Sequence, residues 1–184
     1  AGDNEFTGFV AELISWNTVL STNDFSNLYA YLSDKWFNVP PVLTGIEASA
    51  IAYNEGDPAT QITATVSLTD ADDTNLDSAQ VRIASGFEAS EDVLNYPAVI
   101  GSISGSYDSG TGILSLTGSD TPANYQAAIR SITYENTDGV APSTNDRIIE
   151  IVAYDWDDAS GVVTRTINIL PDNEEPVLAA IEGT

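Results

Sequence analysis

Acidic side chains are concentrated in short runs that lie where apolar, strand-like segments end. The first run, LTDADDTNLDS, contains Asp70, Asp72 and Asp73. Carboxylates at this spacing, together with the free carbonyl groups of a loop, supply the oxygen ligands that Ca²⁺ binds in sets of about 6–8. The run is not an EF-hand loop, because Asn75 stands at the sixth position in place of glycine and Val81 at the twelfth in place of glutamate.

Further acidic runs follow the same pattern along the chain. AYDWDD places Asp155 and Asp157 after a predicted strand, PDNEEP places Asp172 and Asn173 beyond the last one, and NEGDPA offers Glu55. The sequence therefore predicts bound calcium at one or more of these runs. The alternative is that they are solvated turn residues of a protein adapted to salty water, since Asp and Asn favour turns through their own side-chain hydrogen bonds.

The charge balance limits the partners of this chain of 184 residues. It carries 28 Asp and Glu against 5 Lys and Arg, a formal net charge of −23. Such a surface repels phosphate backbones and anionic lipid headgroups, so we expect no nucleic acid and no membrane surface as partners. Cations are the favoured partners, and they would also screen the self-repulsion that destabilises the compact state.

The residue types that are missing exclude several kinds of chemistry. The chain has no Cys, Met or His, which rules out disulfides, thiolate or imidazole zinc sites and a Ser-His-Asp triad within it. Paired acids can serve a glycosidase, but here they are confined to predicted turns, so we expect no enzyme. No apolar run reaches the roughly 18 residues of a membrane helix. No charged-then-apolar leader opens the chain, so any secretion signal is expected outside this sequence.

Residues 1–38 differ in character from the rest. EFTGFVAELISWN predicts a strand, and Ser21 with Asp24 forms a capping-box pattern ahead of a helix. The helical spacing predicts one apolar face made of Phe25, Leu28, Tyr29, Leu32 and Trp36. One strand and one helix cannot close a core. The segment therefore docks on the remainder of the chain, ends a preceding domain, or donates its strand to a neighbouring subunit.

After the proline-containing segment NVPPV, the hydrophobic pattern of the sequence becomes that of short strands. QITATVSL predicts a strand with Ile62, Ala64, Val66 and Leu68 on one face, and SAQVRIA, RIIEIVAYD and VVTRTINIL predict others. DSGTG predicts a hairpin loop, and TPANYQAAIRSITY begins as helical turns and ends as a strand. The predicted fold is all-β, a Greek-key β-sandwich of cadherin-like or Ig-like type with an N-terminal strand-plus-helix segment.

A repeat begins near the end of the chain. PVLTGIEAS, starting at Pro41, returns as PVLAAIEGT, starting at Pro176, a period of 176 − 41 = 135 residues. Recurrence at a fixed period is typical of tandem arrays. The predicted organisation is therefore a terminal strand and helix in residues 1–38, one sandwich in residues 39–175, and the start of the next repeat in residues 176–184.

Several ordered motifs resemble a known family. YNEGDPA, VSLTDADDTNLDSAQVRI, EDVLNY, SGSYDSGTGILSLTG, TPANYQAAIRSITYEN and VTRTI resemble, over about residues 41–175, the cadherin-like tandem repeats of large bacterial surface adhesins. FTGFVAELISWNTVLSTNDFSNLYAYLSDKW resembles the C-terminal strand and helix of a laminin-G/concanavalin-like jelly roll, without its sugar-binding part. PDNEEP matches the cadherin linker only loosely, because Glu stands where Asp is expected.

The resemblance implies a calcium-stiffened structural or adhesive module of a secreted or bacterial cell-surface protein. Its partners would be neighbouring repeats or other copies of the chain, and possibly glycans. In such modules a Glu, an Asp-x-Asp loop and an acidic linker converge at one pole, which implies Glu55, Asp70 and Asp72 as calcium ligands. Two alternatives remain open. One is a subunit of a filament assembled by a donated β-strand, and the other is a carbohydrate-binding fragment in which Trp156 is the best candidate for sugar stacking.

Overall fold

A computed structural model of the protein describes residues 19–139 and 141–171. The chain divides between Asn38 and Val39 into two units. The strand predicted from EFTGFVAELISWN, the linker with Asp172 and Asn173, and the second copy of the repeat all lie outside the described residues.

The first unit contributes one described helix, α1 (Thr22–Phe37), of 16 residues. The Ser21 hydroxyl accepts the Asp24 N–H at 3.2 Å, and Asp24 Oδ2 accepts the Ser21 N–H at 3.0 Å. The capping box predicted from the sequence is therefore confirmed. Two members of the predicted apolar face, Phe25 and Tyr29, are 64% and 69% exposed.

The second unit contains eleven strands and one helix among the described residues. They are β1 (Val42–Thr44), β2 (Ile51–Asn54), β3 (Thr60–Gln61), β4 (Ser67–Thr69), β5 (Leu76–Ser85), β6 (Asp92–Asn95), β7 (Ser104–Asp108), β8 (Ile113–Asp120), α2 (Pro122–Ser131), β9 (Thr133–Asn136), β10 (Arg147–Tyr154) and β11 (Val163–Leu170). One sheet has the order β2-β11-β10-β5-β8-β7, a second has the order β3-β9-β6, and β1 pairs with β4.

The strands alternate buried and partly buried side chains, which places one face of each sheet on a shared core. In β10, for example, Ile149, Ile151 and Ala153 are fully buried, and the residues between them are not. A single buried cluster joins side chains of all three sheets and α2, among them Leu43, Ile62, Leu94, Leu116, Ile129, Tyr134 and Ile169. The all-β sandwich predicted from the sequence is confirmed. Neither described helix is long and apolar enough to cross a membrane.

Two local predictions are also confirmed. DSGTG forms the hairpin between β7 and β8, whose pairing runs from Asp108 beside Ile113 to Ser104 beside Thr117. TPANYQAAIRSITY forms α2 followed by β9, and the Thr121 hydroxyl caps the helix by accepting the Asn124 N–H at 3.2 Å. Proline at the first turn suits this start, because its missing N–H has no partner within a helix.

The strand predicted for QITATVSL is wrong in its middle. The segment forms β3 and β4, which belong to different sheets, and the residues between them are not part of a strand. Ala64 is exposed, and its N–H donates to Glu47 Oε1 at 2.8 Å. Ile62, Val66 and Leu68 are buried as predicted. The alternating pattern therefore persists across a crossing between sheets, because both sheets face the same core.

Strand pairing defines the two ends of the sandwich. β11 is parallel to β2, with Leu170 beside Asn54, and antiparallel to β10, whose last residue Tyr154 lies beside Ser78 of β5. We call the end where β10 stops and β5 begins the proximal end, and the end where β2 and β11 stop the distal end. β11 has 8 residues, and a strand of this length spans about 26 Å.

The chain enters the sandwich at the proximal end. The first residue of β1, Val42, pairs with Thr69, the last residue of β4. From Thr69 a short loop leads directly into Leu76, where β5 begins at the proximal end. Because β11 stops at the distal end, the described chain passes through the sandwich from one end to the other.

Candidate metal centre

The loop between β4 and β5 gathers three carboxylates. Asp70, Asp72 and Asp73 each offer an oxygen, and these ligand atoms lie within 4.8 Å of one another. Asp72 is exposed, whereas Asp70 and Asp73 are partly buried. Like charges held this close repel one another unless a cation lies between them. The first acidic run of the sequence is therefore a cluster in space, as the spacing predicted.

Asp70 is oriented by the backbone of its own loop. Its Oδ1 accepts the N–H of Asp72 at 3.2 Å and the N–H of Asp73 at 2.8 Å. Its other oxygen, Oδ2, is buried and has no hydrogen-bond partner among the described residues. A buried carboxylate oxygen without a donor is costly. A cation coordinated by this oxygen would remove the cost, so the side chains present suit a cation with oxygen ligands.

The same loop is tied to the point where the chain enters the sandwich. Asp72 Oδ2 accepts the backbone N–H of Val39 at 3.1 Å. Val39 is the first residue of the second unit, and β1 begins a short distance later at Val42. Asp72 therefore holds the backbone at the residue where the second unit begins.

A second acidic loop joins β10 to β11. Asp155 is only 4% exposed, and its Oδ1 accepts the N–H of Asp157 at 2.8 Å and the N–H of Asp158 at 2.5 Å. Its Oδ2 is buried and has no hydrogen-bond partner in the described part of the chain. The neighbouring Ser160 closes the loop, because its N–H donates to Ala153 O at 2.8 Å and its hydroxyl accepts the Ala153 N–H at 3.0 Å.

Asp155 lines an open cavity of about 350 Å³ at the proximal end. Its other lining residues include Asp77, Trp156, Asp157 and Asp158. Trp156 is 72% exposed. Asp77 and Asp158 were not singled out as ligands from the sequence. The signal for Asp158 was present, since DADD and DWDD share the pattern Asp-x-Asp-Asp.

The two acidic loops lie at the same end of the sandwich, but Glu55 does not. Glu55 follows β2, and its N–H donates to Leu170 O at 2.8 Å at the distal end. Asp70 follows β4 at the proximal end. The convergence of Glu55 with Asp70 and Asp72 implied by the family resemblance is therefore not found within this sandwich. The physical reason is the parallel pairing of β2 with β11, which carries Glu55 away from the loop after β4.

Three arginine side chains form ion pairs away from the two acidic loops. Arg147 pairs with Glu91 and Asp92, Arg165 with Glu47, and Arg82 with Glu150. Within the described ranges, neither Asp70 nor Asp155 forms an ion pair.

Comparison with known proteins gives a partial sequence similarity. No protein-family model matches the chain. Over 103 residues, 54% of this chain, it is 31% identical to halomucin of Haloquadratum walsbyi (strain DSM 16790 / HBSQ001), and the matched region is 1% of that protein. Among solved structures, the periplasmic chaperone SfaE matches with a TM-score of 0.34 and 17% identity, covering 72% of this chain and 57% of that chain.

Proposed function

We propose that this chain is a calcium-binding structural module of a secreted or cell-surface protein, in which an ion at the proximal end stiffens the connection to the preceding module. The observation that carries the proposal is the group of Asp70, Asp72 and Asp73, whose ligand atoms lie within 4.8 Å of one another. Oδ2 of Asp70 is also buried without a hydrogen-bond partner among the described residues.

Bound calcium would neutralise carboxylate charge and link several oxygen ligands. It would have a structural role and would catalyse no reaction. Asp70, Asp72 and Asp73 would hold it, with backbone carbonyls and water completing the usual set of about 6–8 oxygens. Since Asp72 also accepts the Val39 N–H, occupancy would restrict the entering chain as well as the loop. Extracellular modules of this type bind calcium at about 10⁻⁴–10⁻³ M, which suits fluids outside the cell.

Two further observations support a place in an extended surface protein. The chain enters at the proximal end and β11 stops at the distal end, which suits modules strung in a line. The similarity to 1% of halomucin is consistent with a module of a much longer secreted or surface protein. We include in this proposal that the chain is a cadherin-like repeat and that the parent protein takes part in adhesion. The ordered sequence motifs that resemble cadherin-like repeats support this part of the proposal.

Thermal unfolding of the full chain tests the proposal. Calcium at about 100 times its dissociation constant stabilises a one-site protein by about 2.7 kcal/mol. For a domain of this size, that corresponds to a rise in Tm of about 5–10 °C. We expect this rise with calcium and much less with magnesium at the same ionic strength. The Asp70→Asn/Asp72→Asn variant, which keeps the side-chain shapes, should lose the rise. An equal rise in both proteins would refute the site.

A second candidate function is the filament subunit, which one observation favours. Among the described strands, β7 lies at an edge of the six-stranded sheet, and Ser104, Gly105 and Ser106 are exposed along it. The charge of this strand, Asp108, lies at its hairpin end. Strand addition at this edge would make light scattering rise with protein concentration. Replacing Ser104 and Ser106 by Lys should abolish that rise and leave Tm unchanged. Scattering that is the same in both proteins would count against assembly through β7.

A further inference from the structure

Part of the outer face of the six-stranded sheet carries little of the protein's charge. Side chains alternate along β5, β8 and β10, so the residues between the buried ones point away from the core. Strand pairing aligns these outward residues in rows that cross the three strands. We call two of these rows the outer patch, and they are Ser115-Gln80-Val152 and Ile113-Arg82-Glu150.

The outer patch is uncharged except for one ion pair. Arg82 Nε donates to Glu150 Oε2 at 2.8 Å, and about half of the Arg82 side chain is exposed. The neighbouring row toward the proximal end, Thr117-Ser78-Tyr154, has no charge. The whole chain, in contrast, carries 28 acids against 5 bases. Two copies of such a chain repel each other over most of their surface, and the repulsion is weak where uncharged faces meet.

The position of this ion pair favours a second copy of the chain as the partner. The sheet order β2-β11-β10-β5-β8-β7 places the middle of the sheet between β10 and β5. Arg82 and Glu150 lie directly opposite each other across that middle line. A two-fold axis along this line, between two facing sheets, places Arg82 of one copy above Glu150 of the other. It also places Gln80 of each copy above Val152 of the other, because these two residues are paired in the same way.

The size of the sheet suits a weak contact between copies. The four long strands β5, β8, β10 and β11 have 10, 8, 8 and 8 residues. With strands about 4.8 Å apart and about 3.3 Å per residue, the six strands present a face on the order of 600 Å². Two such faces bury about 1,200 Å², which is the lower limit for specific interfaces between proteins. Sheets that pack face to face keep their strands nearly aligned, as this axis requires.

We propose that the outer face of the six-stranded sheet joins two copies of this chain, sheet against sheet, about a two-fold axis between β5 and β10. The two sandwiches run in parallel, with their proximal ends side by side. The Arg82–Glu150 pairs of the two copies form one network that is neutral overall. High salt favours the contact, because the acidic loops of the two proximal ends otherwise repel each other. The contact goes beyond the proposed calcium module, since it needs no ion in those loops.

Sedimentation velocity of the full chain, over a wide range of protein concentration, tests this association. The buffer contains about 1 M NaCl and no calcium, so that the screening length is about 3 Å. We expect a monomer–dimer equilibrium. Gln80→Glu keeps the side-chain shape and adds a like charge per copy at the centre of the contact, which should raise the dimer dissociation constant about tenfold or more. Ala127→Glu is the matched control, because this exposed residue of α2 lies off the sheet and gains the same charge.

Charge reversal tests whether Arg82 of one copy faces Glu150 of the other. Arg82→Glu brings acids together within each copy and across the contact, so the dimer should be lost. Arg82→Glu/Glu150→Arg restores opposite charges in both places, so the dimer should return. Thermal unfolding of dilute protein checks that each variant is folded. A dimer that persists in Arg82→Glu would overturn this arrangement.

Cross-linking separates this contact from strand addition at β7. The chain has no cysteine, so Gln80→Cys supplies one thiol per copy. A short bismaleimide should join two copies of this variant, whereas Ala127→Cys should give no dimer. In copies joined edge to edge at β7, the two Gln80 positions lie about 24 Å apart, out of reach of the reagent. A chain that stays monomeric at every concentration overturns the proposal, and so does a dimer that Gln80→Cys does not cross-link.

Discussion

Asp70 and Asp155 occupy equivalent positions in two loops that are far apart in the chain and lie at the same end of the sandwich. Each aspartate uses Oδ1 to hold two backbone N–H groups of its loop, and each leaves a buried Oδ2 without a hydrogen-bond partner in the described residues. Backbone hydrogen bonds thus orient both carboxylates before any ligand arrives. A preoriented ligand loses less conformational freedom when it binds an ion.

Salt and calcium should stabilise the protein by different routes. Raising NaCl from about 0.1 to 1 M shortens the screening length from about 10 to 3 Å. Because the net charge is −23, this should raise Tm in the wild type and in Asp70→Asn/Asp72→Asn alike. The further increase on adding millimolar calcium at high salt should occur in the wild type alone. If NaCl removed the calcium effect completely in the wild type, calcium would be acting as a screening ion.

The buried arginine should be one of the most sensitive side chains in the protein. Arg147 is fully buried, and its Nε contacts the two carboxylate oxygens of Asp92 at 2.9 and 3.1 Å. Tyr134 donates its hydroxyl to the same carboxylate at 2.6 Å. Arg147→Met leaves Asp92 buried without its counter-charge, which should cost about 3–5 kcal/mol of unfolding free energy in urea titrations.

The exposed pair Arg82–Glu150 provides the control for that experiment. The Arg82 side chain is 49% exposed, and such pairs contribute about 0–1 kcal/mol. Arg82→Met should therefore change the unfolding free energy by less than about 1 kcal/mol. Similar losses in the two variants would show that burial of Asp92 is not what makes Arg147 important.

Gly86 should tolerate a side chain less well than Gly56. Its φ is +70°, and an added Cβ would lie 2.2 Å from the carbonyl oxygen of Asp146. Gly56 has a similar φ of +76° but open space around the same position. Gly56→Ala should cost about 1–2 kcal/mol from backbone strain alone, and Gly86→Ala should cost about 1–3 kcal/mol more because of the clash. If chemical denaturation gave equal losses of unfolding free energy for the two variants, the turn after β5 would be able to move away from Asp146 without penalty.

Acid should destabilise the fold through Glu47 and Asp120. Burial raises the pKa of Glu47, but the Ala64 N–H, the Thr63 hydroxyl and the Arg165 guanidinium outweigh it and lower the pKa from 4.5 to about 2. For Asp120, the Ser102 N–H, the Asn124 side chain and the Thr121 N–H lower the pKa from 3.8 to about 2. A pKa below the unfolded value means that each carboxylate stabilises the fold at neutral pH and loses this contribution as the pH falls toward 2.

Glu47→Gln isolates the first of these contributions. The amide keeps an acceptor for Ala64 but has no charge for Arg165. The variant should be less stable than the wild type at pH 7, and the difference should shrink between pH 4.5 and about 2. Urea unfolding across this range measures it. A difference that stays constant down to pH 2 would show that the titrating charge of Glu47 is not the cause.

Local patterns were predictable wherever a few neighbouring residues decide the structure. The capping box of Ser21 and Asp24, the hairpin after Asp108 and the helix after Thr121 depend on contacts within one or two turns of chain. The crossing between β3 and β4 was not predictable, since Ile62, Val66 and Leu68 alternate as they would in one strand. The Glu47 side chain, which takes the Ala64 N–H there, comes from a distant part of the chain.

The acidic runs were visible in the sequence, and so was their preference for a cation, because carboxylates without nearby bases have few other ways to be neutralised. The sequence did not show which of these runs lie at the same end of the sandwich. Pairing of β2 with β11 takes Glu55 to the distal end, and pairing of β5 with β10 brings Asp77 of β5 close to the loop of Asp155. These pairings join segments far apart in the chain through backbone hydrogen bonds that any residue but proline can make. Side-chain identities therefore carry little record of which loops become neighbours.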